Sequence, residues 1–195
     1  MTSSADDVFI GGHPILDFIN TVEDQSKSRL ISRIADWPSF LDWANASPIF
    51  SETQILAIKG IDEIEAANLL EQIHKMRESQ YAMLTCFLSN QENYVISKTI
   101  EAGIKTAIHN ASLVRNETGY KWEICMDSPN WIINIFFLSM EHFLRSQNIK
   151  KLRECGRCTW LFLDTGRGRG RRWCKMSTCG NREKSKYFRQ RHPNT

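Results

Sequence analysis

Six cysteines stand in the 195-residue chain. Four of them form two short-spaced pairs: Cys155 and Cys158 with two residues between them, then, fifteen residues on, Cys174 and Cys179 with four between them. Two such pairs joined by a loop are how structural zinc sites are built, because each pair sits on a tight turn that aims both sulfurs at one tetrahedral centre. Gly156 within the first turn and Gly180 directly after the last cysteine leave room for close backbone approach to the sulfurs. Neighbouring Lys and Arg favour the thiolates a metal requires. Four thiolates fill the tetrahedron and leave no position for water, so one structural Zn²⁺ is expected, a staple with no catalytic role, and no enzyme activity is expected. His192 is expected to be solvated and not a further ligand. Cys86 and Cys125 stand alone on apolar stretches and are expected to be buried small hydrophobes.

The net charge of +3 averages two different halves. From Lys150 onward, fourteen Lys and Arg face three carboxylates, a balance of +11; the residues before hold eleven basic against nineteen acidic groups, a balance of −8. An acidic body thus carries a strongly basic end, which stays near +9 once zinc and four thiolates take two charges from it. Such an end attracts polyanions. Arg167, Arg169, Arg171 and Arg172 lie between the cysteine pairs, separated in part by glycines. Their planar, permanently charged guanidiniums suit phosphate. The run lacks the Gly-x4-Gly-Lys-Ser/Thr pattern of a nucleotide-hydrolysing phosphate loop. Trp160, Phe162 and Trp173 are read as the small apolar core that a zinc module needs around its metal.

The elements that position these groups read as mainly helical. Pro14 opens a short helix, Asp36 precedes another over Trp37 to Ala46, and Ser51 to Gln54 forms a capping box for a third. From Asp62 to Leu88, Ile64, Ala67, Leu70, Ile73, Met76, Tyr81, Leu84 and Leu88 recur at helical spacing. A further helix is expected from Glu92 to about Ala111, weakened by Gly103. Ser112 to Arg115 and Tyr120 to Met126 flank a turn and predict a β-hairpin. Pro129 opens an apolar helix to Arg145, and composition turns basic near Asn148 to Lys151. The fold class is therefore mainly α with a small hairpin over 1–148, followed over 149–195 by a zinc-stapled α/β module, treble-clef-like or ribbon, that ends in a basic helix. The most apolar segment, Trp131 to Met140, is too short to span a bilayer and no leader-like N-terminus is seen, so a soluble cytoplasmic protein without membrane contact is expected. In that reducing compartment paired cysteines point to metal before disulfides.

The run Cys174 to Arg182, with Trp160 to Asp164 and Arg171-Arg172-Trp173 before it, resembles the bacterial CGNR zinc-finger family, whose name is spelled here by Cys179-Gly180-Asn181-Arg182. Gly11-Gly12-His13-Pro14-Ile15-Leu16-Asp17-Phe18-Ile19-Asn20-Thr21 is similar to the start of the stress-induced transcription regulator domain usually joined to that finger. The resemblance implies zinc on Cys155, Cys158, Cys174 and Cys179 and DNA binding by a bacterial transcription regulator. Glycines at 166, 168 and 170 depart from the small polar residues frequent in the family and imply a more flexible loop.

On that reading the final ligand starts a recognition helix from about Ser177 to Arg191, with Ser177 as its N-cap. Arg182, Lys186 and Arg189 share one face, Phe188 points to the far side as a packing contact, and Asn181 and Arg182 are placed to reach base edges. DNA is favoured over RNA as partner, while the acidic body senses a small-molecule effector or forms a homodimer. An RNA-binding protein and a zinc-stapled protein-interaction module remain the alternatives. His74, His109 and His142 have no spaced partner for catalysis, and His13, Asp17 and Asn20 are expected to make satisfied polar contacts.

Overall fold

The computed structural model describes residues 9–23, 27–89, 97–117, 119–166 and 170–192. Helices dominate: α1 (Pro14–Ile19), α2 (Trp37–Ala46), α3 (Glu52–Lys59), α4 (Glu63–Leu88), α5 (Lys98–His109), α6 (Trp131–Arg145) and α7 (Asn181–Arg191). Three two-stranded antiparallel ribbons join them: β1 (Val22–Glu23) with β2 (Ile31–Ser32), β3 (Ala111–Asn116) with β4 (Gly119–Ile124), and β5 (Leu152–Glu154) with β6 (Leu161–Leu163). The expected fold class is what the chain adopts.

Capping chemistry sets most helix starts. Asp36 and Ser51 each form a reciprocal capping box, and Asp62 Oδ1 accepts from the N–H groups of Ile64 and Glu65. The helix expected from Glu92 starts at Lys98, because the Ser97 hydroxyl accepts the Ile100 N–H; residues 90–96 lie outside those described. Gly103 does not interrupt it. The Phe137 ring of α6 fills the place a Cβ at Gly103 would take, so the glycine lets the two helices close on each other.

The core forms around α6, whose Phe136 stacks on Phe18 of α1 and meets Phe50 edge-on. On α4 the buried stripe is Ala66, Leu69, Ile73, Met76, Arg77, Gln80, Met83 and Leu84, one position off the series expected at its start, and Ile64 is 79% exposed. A purely apolar count missed the register because Arg77 and Gln80 belong to the buried face. Arg77 Nη1 donates to the Thr21 carbonyl, the Thr21 hydroxyl and the Ser32 hydroxyl, and its Nε pairs with Glu78. Burial alone would raise the Glu78 carboxyl, but Arg29 and Arg77 outweigh it and hold the group below the ordinary carboxylate range. Arg29 takes a left-handed backbone, φ 54°, at a cost of about 1–2 kcal/mol. The conformation brings its guanidinium over the Tyr81 ring and onto Glu78, the Ile19 carbonyl and the Thr159 hydroxyl.

Neither lone cysteine is buried as expected. Cys125 follows the last residue of β4 and is exposed, and Cys86 on α4 is half-buried, because each falls off its element's core-facing side. No helix among the described residues is long and apolar enough to cross a membrane.

Candidate zinc centre and basic cleft

Strand β6 positions the first half of the site through its period of two. Leu161 and Leu163 point into the main core, whereas Trp160 and Phe162 point the other way and pack with Val22 and the four cysteines. Trp173 lies against the same cluster, so the expected aromatic cover of the metal is present, with Val22 and Ile10 of the N-terminal region added to it. The Trp160 indole donates to the Val22 carbonyl at 2.9 Å.

Hydrogen bonds close each cysteine turn. Cys155 N–H donates to the Trp160 carbonyl, Gly156 N–H to the Arg172 carbonyl, and Cys174 N–H to the Cys155 sulfur at 3.3 Å. A π-helical turn, Met176–Gly180, holds Cys179, with Gly180 N–H donating to the Lys175 carbonyl. The end of the Met176 side chain lies in the place of a Cβ at Gly180, so a larger residue there would have to push Met176 aside.

The four sulfurs lie within 4.8 Å of one another and all four residues are buried. Cys158 to Cys174 is 3.7 Å, and Cys174 to Cys179 and Cys179 to Cys158 are each 3.6 Å. A tetrahedron built on zinc–sulfur bonds of about 2.3 Å has edges of about 3.8 Å, which these three edges match. Protons alone serve these thiols poorly: hydrogen bonds from Cys158, Cys174 and Cys179 drive the Cys155 thiol far down, while sharing with Cys155 and burial drive Cys158 and Cys174 far up. A divalent ion replaces that contest with four equivalent thiolates. The four cysteines are one structural zinc site.

Helix α7 leaves this turn, and here two expectations fail. Ser177 does not cap it. Lys175 precedes the π-helical turn, no side chain caps α7, and the Ser177 carbonyl instead accepts from Asn181 Nδ2 at 3.3 Å. Phe188 has no core beneath it: it is 63% exposed and lies against His192, since α7 buries none of its residues. His192 makes that ring contact and does not join the cysteine cluster.

One face of α7 and the first cysteine turn enclose a cleft of about 450 Å³ lined by Arg157, Ser177, Thr178, Asn181, Arg182, Ser185 and Arg189. Three of the expected contact residues, Asn181, Arg182 and Arg189, thus meet in one place, with Lys186 on the helix beside them but outside the lining. Arg157 was not foreseen. It sits between two ligands and reads as part of the zinc turn, yet Nη1 reaches Glu183 on α7 at 3.1 Å and its buried Nε has no partner among the described residues. Arg171 and Arg172 are exposed and stand elsewhere. Arg171 lies over the Phe162 ring and donates to the Ile10 carbonyl, and Arg172 lies over Trp173. Arg167 and Arg169 lie outside the described residues. Asp164 Oδ1 accepts from the Gly166 and Arg171 N–H groups.

The glycine-rich N-terminal motif also acts on this module. Asp17 Oδ1 accepts from Gly11 N–H at 2.7 Å, and Asn20 bonds the main chain of Leu161. His13 caps α1 and stacks on His142, with ring nitrogens 3.3 Å apart.

Residues 151–192 match the model of the CGNR zinc finger family, a span that begins just before β5 and covers every ligand and all of α7. No curated protein matches the chain.

Proposed function

We propose that this protein, which carries a CGNR zinc finger at its C-terminal end, is a bacterial transcription regulator that binds DNA through that finger while the helical remainder senses a signal or dimerises. The observation that supports the reading best is the cleft at the start of α7, where three guanidiniums, three hydroxyls and the Asn181 amide converge beside the zinc turn. Arginine forks and hydroxyl donors are what phosphate oxygens take, and contacts of that kind fix register on a duplex. Asn181 and Arg182, at the N-terminal end of the exposed helix, offer the pairings that read adenine and guanine in the major groove. The zinc supplies rigidity: four thiolates tie the turn that carries Arg157 to the turn from which α7, with Arg182 near its start, departs. Binding without chemistry is the role that such a closed metal site serves.

A second reading has its own observation. Tyr187 and Phe188 are 60% and 63% exposed on the same basic helix, a combination that suits stacking on unpaired bases of RNA.

Competition decides between the two. Zinc-loaded full-length protein is titrated with labelled duplex DNA against unlabelled duplex, structured RNA and single strands. Duplex DNA should compete best, and Arg157→Ala with Arg189→Ala should lower the slope of log Kobs against log salt by about 0.9 per lost phosphate contact. Preference for single strands, with affinity lost in Phe188→Ala, would transfer the function to the second reading. An unchanged slope in the double variant would remove the cleft from the interface.

A further inference from the structure

Residues of α5, α6 and the segment before α6 line a second cavity of about 440 Å³, within the size range of small-molecule sites. Its floor comes from α6: Trp131, Asn134 and Phe137 are each buried, and each lines the space. Asn134 is 7% exposed, and no hydrogen bond joins its carboxamide to another described residue, which leaves the amide edge open to the cavity. The remaining lining supplies no cation. Asp127 is its single charged residue, while Thr106 and Asn110 of α5 and Gln72 of α4 add neutral polar groups at the rim.

We infer that this cavity binds a small, planar, uncharged molecule that presents a hydrogen-bond donor and an acceptor side by side, as a ring-borne carboxamide, a lactam or a free nucleobase does. A primary amide side chain offers one donor and one acceptor in a plane, and the group that satisfies both together is another amide edge. The Trp131 and Phe137 rings give the apolar cover on which a flat ring packs. The lack of Lys and Arg in the lining, with Asp127 at the rim, disfavours anions. Gly103 contributes by omission: the Phe137 ring occupies its Cβ position, so α5 approaches without filling the cavity. Such a ligand bridges α5 and α6, two elements that pack on each other and on the β3–β4 hairpin. The inference deepens the sensing half of the function proposed above and does not rest on the finger.

The test uses the zinc-loaded full chain, with nicotinamide and uracil as probes, nicotinate as the anionic control, and ligand-observed NMR and calorimetry as readouts. At least one neutral probe should saturate with Kd in the range of about 1–10 mM, as expected of fragments of this size, and nicotinate should bind about tenfold more weakly or not at all. Asn134→Leu should weaken the neutral probe by about tenfold, the loss of a buried amide pair. Thr106→Trp, on the exposed rim and so without cost to the core, should block the site while zinc content and helical signal stay unchanged. Failure of both neutral probes to saturate by about 50 mM would overturn the inference, as would binding that survives Thr106→Trp or nicotinate binding as well as nicotinamide. Nucleic-acid affinity is not a readout, so loss of this site leaves the reading of the finger untouched, and the reverse.

Discussion

The side-chain amide of Asn20 pairs with both main-chain polar groups of Leu161: Nδ2 donates to the carbonyl and Oδ1 accepts from the N–H, each at 2.8 Å. Leu161 starts β6, which pairs with β5 on one edge only. Asn20 therefore takes the place of a neighbouring strand, and the Gly11 carbonyl continues the edge by accepting from Leu163 N–H at 2.8 Å. Removing the amide leaves two buried polar groups bare, so Asn20→Leu should destabilise the protein by about 2–4 kcal/mol. Urea unfolding followed by circular dichroism and by a zinc-release dye should give coincident midpoints, both shifted in the variant. Zinc release at lower urea than helix loss in the wild type would mean that the Asn20 contact does not couple the two regions.

Cys158→Ser and Cys179→Ser should each lower bound metal from one ion per chain to a small fraction, since one lost thiolate opens the closed set. Structural zinc contributes on the order of 10–16 kcal/mol in isolated fingers. Val22, Trp160 and Phe162 share the apolar cluster with the cysteines, so the loss should also lower the melting temperature of the helical body. Elemental analysis and thermal melts check the pair of effects. Full zinc occupancy in either variant would sink the assignment of that cysteine.

Much of this site was legible in the sequence because its determinants are local. Ligand spacing and caps such as Asp36 and Ser51 act over three or four residues, and the hairpin turn is set by the residues within it. What could not be read is the set of contacts across long separations. Asn20 and Leu161 are 141 residues apart, Arg29 and Thr159 are 130 apart, and nothing near either partner marks the pairing. Arg77 fails for another reason: a charged residue inside an apolar stripe looks like the edge of the buried face until its three acceptors are seen. Ser177 has the chemistry of a cap, but the π-helical turn that carries Cys179 shifts the helix start past it.

Asp17 and His13 should give opposite pH dependences over nearly the same window. Burial lifts the Asp17 carboxyl to about 6, against the pull of its bonds from Gly11 and Ile10. The folded state then holds a proton that the unfolded state releases, so this group's stabilisation is present below its unfolded pKa and is lost as pH rises towards 6. Burial, with His142 beside it, lowers His13 to about 4. The unfolded state binds that proton first, so the His13 contribution is present above about 6.5 and is lost as pH falls towards 4. Relative to wild type, Asp17→Asn should lose stability on acidification from pH 6 to 4, and His13→Gln should gain it. Denaturation midpoints at half-unit steps of pH measure both, and parallel curves for all three proteins would show that neither group titrates in this range.

Arg157 gives the sharpest test of the cleft, because its charge is already engaged. Nη1 pairs with Glu183 at 3.1 Å, both side chains are about one quarter exposed, and no other ion pair ties the first cysteine turn to α7 among the described residues. If the cleft receives phosphate, Glu183 opposes it through its pair with Arg157, holding that side chain in place while cancelling part of its field. Glu183→Gln should then raise nucleic-acid affinity by a few-fold and steepen its salt dependence, since Arg157 becomes free to release a counterion on binding. Arg157→Ala should lower affinity for all sequences alike and flatten that slope by about 0.9, whereas Arg182→Ala should weaken preferred sequences more than others. Zinc content is measured on each variant, because Arg157 lies between Cys155 and Cys158. Loss of metal in Arg157→Ala, or a fall in affinity in Glu183→Gln, would make the pair a brace for the zinc turn and place the phosphate contacts on the exposed Arg171 and Arg172 instead.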